Sequence, residues 1–201
     1  MVKKNIQISL IIGIIFIIFC KNPFATREAE PPSTDQSSWQ FPTDPVIVLE
    51  NMKSAFRERN VENYMKCLVD SNELFKFIPD AYEASTNTGI FERWDLSLEQ
   101  TYINKIFTSI PDDSTRTLTF DSDFTRNDFP DSVQIRTDYT LVLHHVLSES
   151  YPRQGKGKAD FWFNRRNGYW VITRWEDYET TVDSTAIRLP SWSTIKASFI
   201  N

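Results

Sequence analysis

The sequence predicts an α+β domain in which helices come first and an antiparallel sheet follows. Three observations carry this. Apolar residues recur at helical spacing within residues 44–69 and again after Asp95. From residue 115 the pattern changes to alternation of apolar and polar side chains. Between the last two alternating runs stands Asn167-Gly168, a pair that tolerates the positive φ angles of a two-residue hairpin turn. Helices followed by strands, rather than interleaved with them, favour α+β over a parallel sheet.

Taken in order, Thr43 or Asp44 can cap a first helix, and Pro45 suits its opening turn. Val48, Leu49, Met52, Ala55 and Phe56 form its apolar stripe, opposed by Glu50, Lys53, Arg57 and Glu58. Asn60 ends that helix and caps a second, in which Val61, Tyr64, Met65 and Leu68 repeat the spacing. "ELFKFIPD" reads as a short strand stopped by Pro79, and residues 80–94 read as irregular. Asp95 or Ser97 opens a third helix whose inner face is expected to carry Leu98, Tyr102, Ile106 and either Ile103 or Phe107. Strands are expected at 115–120, 132–146, 156–166 and 168–178. The Asn-Gly turn sets Phe163 opposite Ile172 and Arg165 opposite Trp170, with Trp162 and Thr173 sharing the other face near Trp175. The tail repeats Trp192, Ile195 and Phe199 at helical spacing, behind a Ser191 or Ser193 cap, and predicts a short helix on the sheet.

Upstream of this body, Lys3 and Lys4 precede an apolar run from Ile6 to Phe19 that closes at Cys20. The run has the length of a signal-peptide core and falls short of the roughly 20 apolar residues of a membrane span. Residues 21–43 mix Pro, Ser, Thr and charge without periodicity, which predicts a solvated tether, although Trp39 and Phe41 are suited to docking on the domain. The organisation expected is therefore a leader (1–20), a tether (21–43), the domain (44–180) and a C-terminal tail (181–201). The chain has 201 residues, 40% hydrophobic and 14% aromatic, enough for one core. Its net charge of −5 and the lack of a basic cluster in the domain argue against nucleic acid as a partner. Only Cys20 and Cys67 are present, so no disulfide framework is expected, and Cys67 reads as a small buried hydrophobe.

Two resemblances add to this reading. A Cys closing a secretory core resembles the lipobox of bacterial lipoproteins, with Phe19 standing where that motif has a small residue. It implies lipidation at Cys20; an uncleaved anchor and ordinary cleaved secretion are the alternatives, and all three place the domain outside the cytoplasm, at the cell envelope. The order helix, helix, strand, helix, meander, with "DPVIVLENMKSAFRERNVENYMKCLVDS" and "NGYWVITRWED", resembles the nuclear transport factor 2-like (SnoaL-like, cystatin-like) domains. The resemblance covers residues 44–180 and implies a cone, a curved antiparallel sheet wrapped around about three helices. It implies no single activity, because the fold hosts isomerases, dehydratases, carrier-like binders and dimerisation modules.

Asp70, Asp138 and Asp160 are candidate general bases, and Tyr64, Tyr102 and Tyr139 candidate phenolic donors, but none matches an isomerase motif. Asp138 is expected to point outward and Thr137 inward, and Asp160 to pair with a neighbouring cation. His144 and His145 are adjacent, so a strand sends them to opposite faces, and no metal site is expected. No catalytic residue and no cofactor are assigned. Tyr64, Phe75, Phe77, Trp94, Tyr102, Tyr139, Trp162 and Trp175 are the candidate lining of an apolar ligand pocket in the cone. The expected function is non-catalytic binding or scaffolding at the envelope, for a small apolar ligand or a protein partner. The alternatives are an isomerase- or dehydratase-type enzyme with a carboxylate in the cone, and a structural homodimer.

Overall fold

A computed structural model describes residues 37–182 and 187–200 of the chain. The leader, Cys20 and most of the tether lie outside the described residues. The Asp44 carboxylate accepts the Val46 N–H and starts helix α1 (Pro45–Glu58), which buries Val48, Leu49, Met52, Ala55 and Phe56. Arg59, at φ 54°, turns the chain left-handed and returns its N–H to the last turn of α1. The Asn60 side chain then accepts the Asn63 N–H and starts α2 (Val61–Lys66). The tight corner between the helices is thus two caps placed back to back.

Strand β1 (Lys76–Ile78) follows. Residues 80–94, expected to be irregular, instead form two short helices, α3 (Ala81–Thr86) and α4 (Thr88–Phe91). Asp80 nucleates the first by accepting the N–H groups of Tyr82 and Glu83. Helix α5 (Leu96–Ser109) starts from an Asp95 cap and buries Glu99, Tyr102, Ile103, Ile106 and Phe107. Its inner stripe therefore begins with Glu99, while Leu98 is only half-buried.

The sheet comprises β1, β2 (Arg116–Phe120), β3 (Thr125–Asp128), β4 (Ser132–Leu143), β5 (Gln154–Arg166) and β6 (Tyr169–Glu179). The order is β1-β6-β5-β4-β2, with β3 also paired to β4. All pairs are antiparallel except β1 with β6. Strand β3 was not anticipated; its four residues are all exposed and show no alternation to read. Asn167 and Gly168, at φ 50° and 86°, make the expected hairpin, with Arg165 opposite Trp170 and Phe163 opposite Ile172. Beyond it the register shifts: Trp162 faces Arg174, leaving Thr173 as the extra residue of a β-bulge. The bulge lets Ile172 and Trp175, three residues apart, both face the helices. Trp162 therefore lies on the opposite face from Trp175, which corrects the expected clustering of the two.

A two-stranded ribbon, β7 (Thr181–Val182) with β8 (Ile187–Arg188), leads to helix α6 (Trp192–Ile200). Val133, Ile135, Tyr139, Leu141, Leu143, Phe161, Phe163 and Trp175 line the inner face of the sheet and are all buried. Helices α1 and α6 pack on this face, and α6 lies in turn against α5. Burial of a large apolar side chain contributes roughly 1.5–3 kcal/mol, so this face dominates the stability of the domain. The result is an unclosed, mainly antiparallel sheet wrapped around helices, the cone architecture. Among the described residues no helix is long and apolar enough to cross a membrane.

Candidate functional site

The interior of the cone holds a polar cluster inside an aromatic wall. Glu99, on the first turn of α5, is fully buried. One of its oxygens accepts the Tyr64 hydroxyl at 2.6 Å; the other accepts Trp94 Nε1 at 2.6 Å and also the ammonium of Lys196. Lys196 comes from α6 and is fully buried as well. Its Nζ stands 4.3 Å from the ring centroids of Phe77 and Trp175 and 4.8 Å from those of Trp94 and Tyr102. Burial pulls the Lys196 pKa down to about 8, while Glu99 opposes that fall. Burial, reinforced by Glu99, raises the Tyr64 and Tyr102 hydroxyls well above the usual phenol range.

A second cluster lies where α6 begins. Asp177, on the inner face of β6, accepts the Tyr139 hydroxyl at 2.7 Å, the Ser193 N–H at 2.6 Å and the Ser193 hydroxyl at 2.5 Å. Burial raises its pKa to about 6 against the pull of these donors. The Tyr139 oxygen in turn accepts the Trp192 N–H at 2.6 Å, and Trp192 Nε1 donates to the Tyr102 oxygen at 2.8 Å. Trp192 also meets Trp175 edge to face with centroids 4.3 Å apart. The interior thus contains acid–phenol pairs, but Trp192, Lys196 and Phe199 of the chain's own helix stand among them, each fully buried.

Of the eight aromatic residues expected to line a pocket, Tyr64, Phe75, Phe77, Trp94, Tyr102, Tyr139 and Trp175 converge in this buried interior. Trp162 does not; it stacks on exposed Phe129, centroids 5.5 Å apart, on the outer face of the sheet. The three candidate bases are dispersed. Asp70 is exposed. Asp138 is exposed beside Lys158, 3.7 Å away, and Thr137 points inward. Asp160 lies buried on the outer face, bonded to Arg136 at 2.5 Å and Gln134 at 3.0 Å. His145 is buried, its Nε2 3.2 Å from the Pro152 carbonyl, while His144 is exposed. Cys67 is buried and its thiol faces the Val48 and Asn63 carbonyls; burial pushes its pKa up.

The acids that do reach the interior, Glu99 and Asp177, were not singled out in the sequence. Glu99 was readable, since it begins the series 99, 102, 103, 106, 107 at i, i+3, i+4, i+7, i+8; Asp177 was not, because only the bulge at Thr173 brings it and Trp175 to the inner face.

A separate groove of about 820 Å³ opens on the surface. The segment before α1 forms one wall with Trp39 and Phe41, and α2 and α5 contribute Met65 and Leu96. The β5–β6 hairpin supplies Tyr169 and Val171. Backbone bonds hold these walls together: Trp170 N–H to the Pro42 carbonyl at 2.9 Å and Ile172 N–H to the Cys67 carbonyl at 2.9 Å. Phe41 stacks on Tyr169 with 5.6 Å between centroids and remains 69% exposed. Lys66, bonded to Glu62 at 2.6 Å, covers the Trp39 ring at one end.

No protein-family model matches the sequence, and no curated protein does. Solved structures do resemble it. A Mycobacterium tuberculosis protein of unknown function superposes with a TM-score of 0.51 at 10% identity, over 76% of this chain and 82% of that one. A Novosphingobium aromaticivorans protein provisionally named a scytalone dehydratase gives 0.51 at 11% identity, over 72% and 87%. A Shewanella oneidensis protein described as nuclear transport factor 2-like, of unknown function, gives 0.48 at 15%, over 68% and 98%. At these identities the likeness concerns the fold alone: a curved antiparallel sheet around helices, the cone that the described residues form.

Proposed function

We propose that this protein is a non-catalytic binding domain held at the cell envelope through its N-terminus, with Cys20 as the lipidated residue. The surface groove is its ligand site. The observation that carries this reading is the division of space. Helix α6 fills the interior, whereas the groove presents Trp39, Phe41, Met65, Leu96, Tyr169 and Val171 around an open volume of about 820 Å³. A mainly apolar cleft with a few polar groups at its rim suits a small apolar ligand. The test uses the neutral fluorescent probe N-phenyl-1-naphthylamine with the full chain and with the Leu96→Arg/Val171→Arg variant. Saturable binding lost in a variant that keeps its melting temperature supports the groove. Binding unchanged in that variant, or no saturable binding by the parent, refutes it.

A dehydratase- or isomerase-type activity is the second reading, and one observation favours it. The Asp177–Tyr139 pair couples a carboxylate whose pKa is raised to about 6 to a phenol, the components of proton abstraction beside a carbonyl. It requires α6 to leave the interior, because Ser193 and Trp192 occupy the pair's remaining bonds.

A further inference from the structure

We propose that the interior of the cone is a recognition site for a primary alkylammonium group, which α6 closes by inserting Lys196 as a built-in ligand. The inference concerns a chamber distinct from the surface groove. Its walls are supplied by the body of the domain: Phe77 on β1, Trp94 between α4 and α5, Tyr102 and Glu99 on α5, and Trp175 on β6. None of these residues belongs to α6.

Four rings around one ammonium, all with centroids within 4.8 Å of Nζ, form a box in which the negative ring faces replace water around the cation. Glu99 closes it as the single charged acceptor, and Tyr64 and Trp94 hold that carboxylate in place at 2.6 Å. An acceptor bonded to N–H of the occupant selects a primary ammonium over a quaternary one. The methylene stem of Lys196 lies fully buried, so the channel behind the head accepts an unbranched chain of about four carbons.

Helix α6 is also held by Trp192, whose N–H donates to Tyr139 and Nε1 to Tyr102, and by the buried Trp192, Ile195 and Phe199 side chains. Its opening turn adds bonds of a kind that water can replace. Ser191 donates to Asp80, Ser193 to Asp177, and Thr194 to Glu83 at 2.8 Å. All three side-chain acceptors belong to the body, while the Asp80 N–H donates back to the Ser193 hydroxyl at 3.0 Å. The body therefore presents an acidic socket, which retains its attraction for cations when α6 departs. An external alkylammonium and α6 compete for the same chamber.

Two measurements on the full chain test this. First, Lys196→Ala empties the channel, and its melting temperature is followed during titration with n-butylammonium chloride, n-butanol or potassium chloride. Saturable recovery with n-butylammonium, at least about tenfold tighter than with n-butanol, is expected. Equal recovery by the alcohol, or none by the amine, overturns the assignment. Second, amide hydrogen exchange of the unaltered protein is followed at constant ionic strength with n-butylammonium or potassium. Faster exchange confined to residues 192–200 with the amine supports competition; identical profiles refute it. The second measurement stands even where Lys196→Ala does not fold.

Discussion

Lys196→Met removes the ammonium while keeping an unbranched stem, and it leaves Glu99 buried with only the Tyr64 and Trp94 donors. Breaking one side of a buried ion pair costs about 3–5 kcal/mol, because the surviving charge has lost water and partner together. For the about 160 described residues, at about 2.1 cal/mol/K per residue, the unfolding entropy is about 0.34 kcal/mol/K. A loss of about 4 kcal/mol then lowers the melting temperature by about 12 °C. Glu99→Gln in the Lys196→Met background removes the orphaned charge and retains an acceptor for Tyr64, so the double variant regains at least half of the loss. The assay is thermal unfolding of the three proteins at pH 7, followed by near-ultraviolet circular dichroism, to which the surrounding tryptophans contribute. The reasoning fails if Lys196→Met melts within about 3 °C of the parent, which corresponds to about 1 kcal/mol. It fails equally if the second substitution adds to the damage rather than relieving it.

Three further outcomes are expected. Asp177 binds its proton more tightly folded (pKa about 6) than unfolded, so its protonation adds stability that is fully present below the ordinary Asp range and is lost as pH rises through 6. Melting curves at pH 5 and 7.5 should therefore show the parent gaining on Asp177→Asn at the lower pH; a pH-independent difference contradicts the assignment. Gly157→Ala places a methyl 2.5 Å from both the Tyr139 hydroxyl and the Tyr178 carbonyl, and should cost about 1–3 kcal/mol in urea unfolding. Gly155→Ala meets the movable end of Ile195 and should cost less; the reverse order would show that the Tyr139 contact is looser than it stands. Cys20→Ala should release the protein from the membrane fraction, and retention there would point to an uncleaved anchor.

Local features were the easiest to read in advance. Asn167-Gly168 determines its own turn, and the caps at Asp44, Asn60 and Asp95 act within three residues of themselves. What escaped reading depended on distant contacts or on a single-residue offset. The extra residue at Thr173 reverses which side Trp175 faces, and alternation alone cannot reveal it. In α5 apolar character favours Leu98 over Glu99 for the interior, although the periodicity fits Glu99; the bonds from Tyr64, Trp94 and Lys196 that make its burial tolerable come from 35, 5 and 97 residues away. The surface groove was wholly invisible, since its walls join Trp39, Met65, Leu96 and Val171 through tertiary packing. Lys196 stands next to Ile195, and nothing in the spacing of the tail marks a lysine for burial, because its partner Glu99 lies 97 residues away.

The two margins of the sheet have a further consequence. Along β6 the open backbone groups are taken in turn by Pro42, by Cys67 and Val69, and by β1, so little free ladder remains on that side. On the far side β4 is shared by two short strands, and β3, with Arg126 bridging Asp44 and Asp128, offers a charged rim of four residues. Short and charged borders resist the addition of foreign strands. The domain is thereby protected against edge-to-edge strand addition, the first step of zipping into fibrils.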